Sequence, residues 1–200
     1  HGILLIADEV ITAFGRTGAW TGSRLWGVKP DFACTAKAIT NAYFPFGAVM
    51  ISDGVAEVFE GDDSGKAAIG HGYTYSGHPV GAAAALATLT ETMRLNVKDN
   101  AAQRGAEVMA GLEALKAKYE IIGDVRGGHG LMNAIELVGD RATKSAPPKP
   151  AAGKVQAAAY QAGAMVRVSG PNIILSPPLV LTSEDVQVIL KALDAGFAAL

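Results

Sequence analysis

Two hundred residues, half of them apolar and 18% charged, make a globular composition that can bury roughly 70% of the unfolded chain's surface. The net charge of −2 gives no electrostatic reason to expect nucleic acid or an anionic membrane as partner. A single cysteine, Cys34, excludes an internal disulfide framework, and no apolar run of spanning length or charged leader occurs, so a cytoplasmic chain is expected.

The first element is an apolar run, Ile3-Leu4-Leu5-Ile6-Ala7, closed by Asp8-Glu9, the pattern of a parallel strand covered on both faces. Such a strand at the first residues needs a partner upstream, so the chain reads as the C-terminal part of a longer protein. Residues 11–30, rich in Gly, Thr, Trp and Pro, read as an irregular loop. Phe32 to Thr35 is a second short strand, and Gly47 to Ser52 a third, ahead of a helix around 53–60. Residues 61–78 are Gly- and Asp-rich, then aromatic, and end in Gly77-His78-Pro79. An Ala-rich helix follows over about 80–95 with Leu86, Leu89, Met93 and Leu95, then a second over about 98–118 with Val108, Leu112 and Leu115 on one face. Strand-like segments separated by glycines fill 120–138, with Leu131 to Leu137 as a strand, before a Pro-rich loop over 139–150. A short helix at 152–162, strand pieces at 164–168 and 172–175, and a last helix over 183–199 complete the chain. Thr182 with Asp185 three residues on is a capping-box variant for that last helix. The alternation of strands and helices indicates the α/β class. The composition shift near 95–100 divides a larger α/β part, 1–97, from a smaller α+β part, 98–200.

Three charges stand alone. Between Asp31 and Asp53, Lys37 is the only formally charged residue. A lysine desolvated among small apolar neighbours has a lowered pKa and becomes an amine nucleophile; the alternative is a stem that packs while the ammonium reaches water. Arg167 is likewise alone between Lys154 and Glu184. Its planar fork suits a carboxylate or phosphate, unless it is simply a surface strand position. Asp8 ends the first strand, where open α/β sheets bind ligands and where an acid either holds a cofactor cation or caps the next loop. The Gly-rich segment Gly70 to Pro79 immediately precedes a helix, where N–H groups and hydroxyls can cradle a phosphate.

Taken together, Ile6-Ala7-Asp8-Glu9-Val10, Ala13-Phe14-Gly15-Arg16-Thr17-Gly18, Pro30-Asp31-Phe32 and Ala36-Lys37-Ala38-Ile39-Thr40-Asn41-Ala42, with Lys37 29 positions after Asp8, closely resemble the pyridoxal phosphate (PLP) attachment signature of class III aminotransferases. His71 to Pro79 resembles the family's interface segment, in wording nearest the ω-amino acid (amine):pyruvate branch. Arg167 with Gly170, Ile173 and Ser176-Pro177-Pro178-Leu179 resembles the substrate-arginine segment of that branch.

The resemblance implies fold type I of the PLP-dependent transferases, aspartate aminotransferase-like. The chain would hold the C-terminal portion of the large domain, with a mostly parallel sheet, and the small α+β domain. It implies that Asp8 pairs with the pyridine nitrogen of PLP and keeps it protonated, so that the ring serves as an electron sink. Val10 would pack on the ring. Lys37 would hold PLP as a Schiff base and shuttle the proton as general base and acid. Thr74 would donate to the phosphate of PLP in the neighbouring subunit, which implies a homodimer or higher homo-oligomer with shared sites. Arg167 would clamp the carboxylate of pyruvate or an amino acid and swing aside for an uncharged amine. No metal is implied. The implied reaction moves an amino group from an amine or ω-amino acid to a 2-oxo acid, pyruvate in this branch, by a ping-pong mechanism. The alternatives are a class III branch using ornithine, 4-aminobutyrate or diaminobutyrate with 2-oxoglutarate, or an inactive fragment. His71, His78 and Cys34 read as structural, and Tyr73 and Tyr75 as loop packing.

Glycine is usual after the family's attachment lysine and in the Asn-Gly-Tyr that follows; Ala38 and Ala42 stand there instead. Alanine does not take φ > 0 cheaply, so this loop either uses ordinary dihedrals or carries strain. The strand Leu4 to Glu9 also resembles a Walker B strand, but the nearest phosphate-loop candidate, Gly61 to Ala67, is one residue short and lacks the Ser/Thr.

Overall fold

The computed structural model describes residues 1–61 and 63–200; Asp62, in the segment weighed as a phosphate loop, lies outside the described residues. The chain divides into two units, one of residues 1–15 and 19–96, the other of residues 16–18 and 97–200.

In the first unit, β1 (Ile6–Asp8), β2 (Phe32–Thr35) and β3 (Ala48–Ile51) form a sheet in chain order. β1 and β2 are parallel, with Asp8 opposite Cys34, and β3 joins β2 antiparallel. A parallel pair needs a crossover of a dozen residues or more. Residues 9–31 supply it, and within what the sequence reads as continuous loop they form a four-residue helix, α1 (Gly22–Leu25). Thr21 starts that helix, its hydroxyl accepting the Arg24 N–H at 3.1 Å.

β1 is shorter than the apolar run that announces it, and it is not covered: Ile6 is 65% exposed, and Ile3, Leu4 and Leu5 are exposed with it. A strand is buried on both faces only where a layer lies on each. The buried apolar residues of this unit are few, namely Ala13, Ile39, Val55 and Ala85. The unit continues with α2 (Asp53–Glu60) and α3 (Pro79–Arg94). Pro79 takes the first turn of α3, where its missing N–H costs nothing. His78 caps the helix, its Nδ1 accepting the Val80 N–H at 3.2 Å. Gly81 lets α3 approach the segment after β2, because a Cβ there would lie 2.7 Å from the Phe46 ring.

The second unit contains the larger core. Ala101, Val108, Leu112 and Leu115 recur at helical spacing along α4 (Val97–Lys118) and are buried. α4 packs on β4 (Ile122–Arg126), in a sheet with β5 (Asn133–Leu137), β6 (Arg167–Ser169) and β7 (Asn172–Leu175) in the order β4-β5-β7-β6. All its pairs are antiparallel. Alternation along β5 buries Asn133, Ile135 and Leu137 and leaves Ala134 and Glu136 half-buried. β6 begins at Arg167 rather than at 164, because Gly163 turns the chain at φ +103° and the next residues link α5 to the sheet. α5 (Ala151–Gln161) and α6 (Ser183–Ala198) pack so closely at Gly196 that a Cβ there would lie 2.8 Å from the Val155 carbonyl oxygen. The capping box of α6 is formed: the Thr182 N–H and hydroxyl donate to Asp185 Oδ2 at 2.9 and 2.8 Å, and the Asp185 N–H donates to the Thr182 hydroxyl at 3.2 Å.

Residues 16–18 belong to this unit through a dense set of contacts. The Arg16 guanidinium donates to the carbonyls of Leu131 (2.9 Å) and Pro177 (2.6 Å), and the Leu131 N–H donates back to the Arg16 carbonyl at 2.9 Å. Burial pushes the pKa of Arg16 down. No helix among the described residues is long and apolar enough to cross a membrane.

Candidate active site

Parallel neighbours end on the same edge of a sheet, which is where α/β sheets bind ligands. Asp8 is the last residue of β1. Lys37 opens a 3₁₀ turn, Lys37–Ile39, just past the end of β2 and three residues beyond the β1–β2 partner of Asp8, Cys34. The fold of the first unit therefore brings a carboxylate and an amine to one sheet edge. Asp8 is exposed, and its Oδ1 accepts the Val10 N–H at 3.0 Å. That bond lies within its own turn, and among the described residues its second oxygen has no partner.

Glu9 points to the opposite face and is 2% exposed. It accepts the N–H groups of Gly22 (2.8 Å) and Ser23 (2.7 Å) and the hydroxyls of Thr12 and Ser23. Burial pushes its pKa up, but the Ser23 and Thr12 hydroxyls and the two N–H groups together hold it below the usual glutamate value. The sequence reading leaves Glu9 without a part in this site. The available signal was an acid directly after Asp8, followed by a loop carrying Thr12, Gly22 and Ser23 as donors without an element of their own.

Lys37 is exposed in this chain, and it forms no ion pair among the described residues. Isolation from charge along the sequence is not desolvation in space; of the two alternatives, this chain shows the one in which the side chain reaches water. Its backbone is left-handed at φ +47°, and Asn41 (+48°) and Ala42 (+63°) follow it there. Of the two alanines that replace the family's glycines, Ala42 carries the strain and Ala38 does not. The Thr40 hydroxyl donates to the Phe44 carbonyl at 2.6 Å and closes this loop. The Phe44 ring lies 5.3 Å from that of His78, and α3 packs on the 3₁₀ turn. Thr74 is exposed in the turn before α3, where the Tyr73 N–H donates to the Ser76 hydroxyl at 3.0 Å. His78 thus ties the Thr74 segment to the Lys37 segment. Tyr73 and Tyr75 make ring contacts with His71 and His78 but remain largely exposed, so loop packing describes them only in part.

Arg167 belongs to the second unit, at the start of edge strand β6 opposite Ile174. It is exposed and has no carboxylate partner among the described residues, which leaves its fork available for an anion. A cavity of about 480 Å³ in the first unit is lined by Phe14, Trp20, Arg24, Lys29, Ala33 and Met50, among others. Ala33 and Met50 alternate with Cys34 and Val49, so it opens on the sheet face away from Asp8.

Known proteins align with the chain almost end to end. The family model described as aminotransferase class-III matches residues 1–196. An uncharacterized aminotransferase of Sinorhizobium fredii is 44% identical over 194 residues, covering 95% of this chain and 41% of that protein. A diaminobutyrate–2-oxoglutarate transaminase of Halomonas elongata is 40% identical over 194 residues, with coverage of 95% and 41%. Among solved structures, a PLP-bound amine transaminase from an uncultivated Pseudomonas species superposes with a TM-score of 0.95 at 46% identity, covering 99% of this chain and 45% of that one. The chain thus spans less than half the length of the relatives it matches, and the fold it shares with them is that of the PLP-dependent transferases of type I.

Proposed function

The chain belongs to the class III aminotransferases, and on that premise we propose that its protein transfers an amino group from an amine or ω-amino acid to a 2-oxo acid, pyruvate by preference, with PLP as cofactor. The observation that carries this reading is the pairing of the Asp8 carboxylate and the Lys37 amine on one edge of the β1–β2 sheet. PLP fits that donor set, since an anion is needed for a protonated ring nitrogen and an amine for its carbonyl carbon. When bound, PLP supplies an electron sink for the carbon that loses a proton.

Asp8 would hold a proton on the ring nitrogen through its open oxygen, and Val10, on the same turn, would pack against the ring. Lys37 would hold the cofactor through its amine, and that same amine would move the proton as general base and acid. Thr74 would donate its hydroxyl to the cofactor phosphate in a second copy, which would make a homodimer the smallest working unit. Arg167, whose guanidinium has no carboxylate partner among the described residues, is proposed as the group that would take the carboxylate of the acceptor. The two half-reactions share one site in turn, which is ping-pong kinetics.

Borohydride reduction of the PLP-loaded protein followed by peptide mapping tests the reading. PLP is expected on Lys37, and Lys37→Ala is expected to abolish the attachment and lower turnover by at least about 10²-fold. A label on another residue, or none, overturns it. Similarity to the diaminobutyrate–2-oxoglutarate transaminase favours a second reading with 2-oxoglutarate as acceptor. Initial rates with the two oxo acids decide between them; equal or faster turnover with 2-oxoglutarate selects the second.

A further inference from the structure

The buried carboxylate beside Asp8 has no use in the roles above. Glu9 has no ion-pair partner among the described residues, and its donors are all neutral. Burying an unpaired carboxylate is costly unless hydrogen bonds saturate its oxygens. Four donors do so here, and the space around them is closed. A Cβ at Gly22 would lie 3.1 Å from the Trp26 ring, 3.3 Å from Glu9 Oε2 and 3.3 Å from Thr12 Cβ, so the backbone approaches the carboxylate closely and a larger residue would require its neighbours to give by a few tenths of an ångström.

This carboxylate fastens the crossover of residues 9–31 to the end of β1. Ala13 is the only buried apolar side chain of the crossover, so apart from the Arg16 contacts it is held by polar bonds rather than by a core. The backbone of Glu9 is fixed as well: its N–H donates to the Cys34 carbonyl at 2.9 Å, and its carbonyl accepts the Ala13 N–H at 3.0 Å. The turn thereby set contains the Val10 N–H that holds Asp8 Oδ1 at 3.0 Å. We propose that Glu9 is a positioning residue: its carboxylate grips Thr12, Gly22 and Ser23, sets the turn after β1, and through the Val10 N–H aims Asp8 at the ring nitrogen of PLP. The inference rests on the PLP reading above and adds to it a residue that acts through Asp8.

The test is a double-mutant cycle on the protein in its PLP-binding form. Glu9→Gln keeps the side chain's size but sets an NH₂ against backbone N–H donors. Wild type, E9Q, D8N and D8N/E9Q are compared by PLP affinity, read from quenching of tryptophan emission as apoprotein is titrated with PLP, and by thermal melting of the apoprotein. E9Q is expected to weaken PLP binding about tenfold in the wild-type background and less than roughly twofold in the D8N background, with a similar melting shift in both. Equal weakening in the two backgrounds overturns the positioning role and leaves Glu9 a purely structural anchor. Should E9Q fail to fold, T12V and S23A each remove one donor, and the same non-additivity with D8N is expected of them. Wild-type protein that binds PLP while E9Q is unaltered overturns this inference alone; wild-type protein that takes no PLP overturns the functional reading with it.

Discussion

At the scale of the residue, the loop after β2 concentrates unusual backbone. Lys37, Asn41 and Ala42 are all left-handed within six positions, and none is glycine. A left-handed residue with a Cβ costs about 1–2 kcal/mol, partly offset when it is glycine by the greater freedom of the unfolded chain. Ala42→Gly is therefore expected to stabilise the protein by about 0.5–1 kcal/mol, measured by urea denaturation; an unchanged or lower midpoint would mean that the loop tolerates Ala42 without strain. The alanine itself was legible in the sequence as a departure from glycine. Which of Ala38 and Ala42 bears the positive φ was not, because φ depends on how Thr40 and Phe44 close the loop.

At the scale of the element, boundaries followed periodicity closely where a segment is long and amphipathic. α3, α4 and α6 begin and end within a residue or two of the sequence reading, since each presents a repeating apolar stripe or a cap. α1 was missed, because four residues are too few for a period and its support is the Glu9 carboxylate rather than its own side chains. Close approach is the other quantity that elements decide. A Cβ at Gly105 of α4 would stand 2.1 Å from the backbone oxygen of Gly130, which has no room to retreat. Gly105→Ala is expected to cost about 3 kcal/mol in unfolding free energy, although alanine favours helices. A neutral or stabilising effect, seen by calorimetry, would show that the 130 loop moves freely.

At the scale of the whole molecule, acid sensitivity collects the pairings of several elements. Burial raises the pKa of Glu9 and of Asp124, but hydrogen bonds to Glu9 and the Lys116 ammonium beside Asp124 leave both below their ordinary values. The Lys118 ammonium and the Tyr119 hydroxyl do the same for Asp194. A carboxyl group depressed in the folded state stabilises fully above its unfolded value, 4.5 for Glu9 and 3.8 for the two aspartates, and loses that contribution as pH falls through the lower folded value. Stability is therefore expected to be level from about pH 7 to 5 and to decline below about 4.5, with E9Q showing a shallower decline. Urea midpoints that hold steady down to about pH 3 would contradict this.

By itself the sequence determined the α/β class and the long helices and singled out Asp8, Lys37, Thr74 and Arg167 as candidates, because periodicity, motif spacing and isolated charge are properties of the chain in one dimension. Only the tertiary structure decided which groups meet. Arg16 finds its carbonyl partners 115 and 161 positions away, and Glu9 its donors at 12, 22 and 23. It also decided exposure within this chain, where Lys37 lacks charged neighbours in sequence yet is exposed and the apolar β1 is uncovered. Burial depends on what layer folds onto a residue, and that layer comes from elsewhere in the chain.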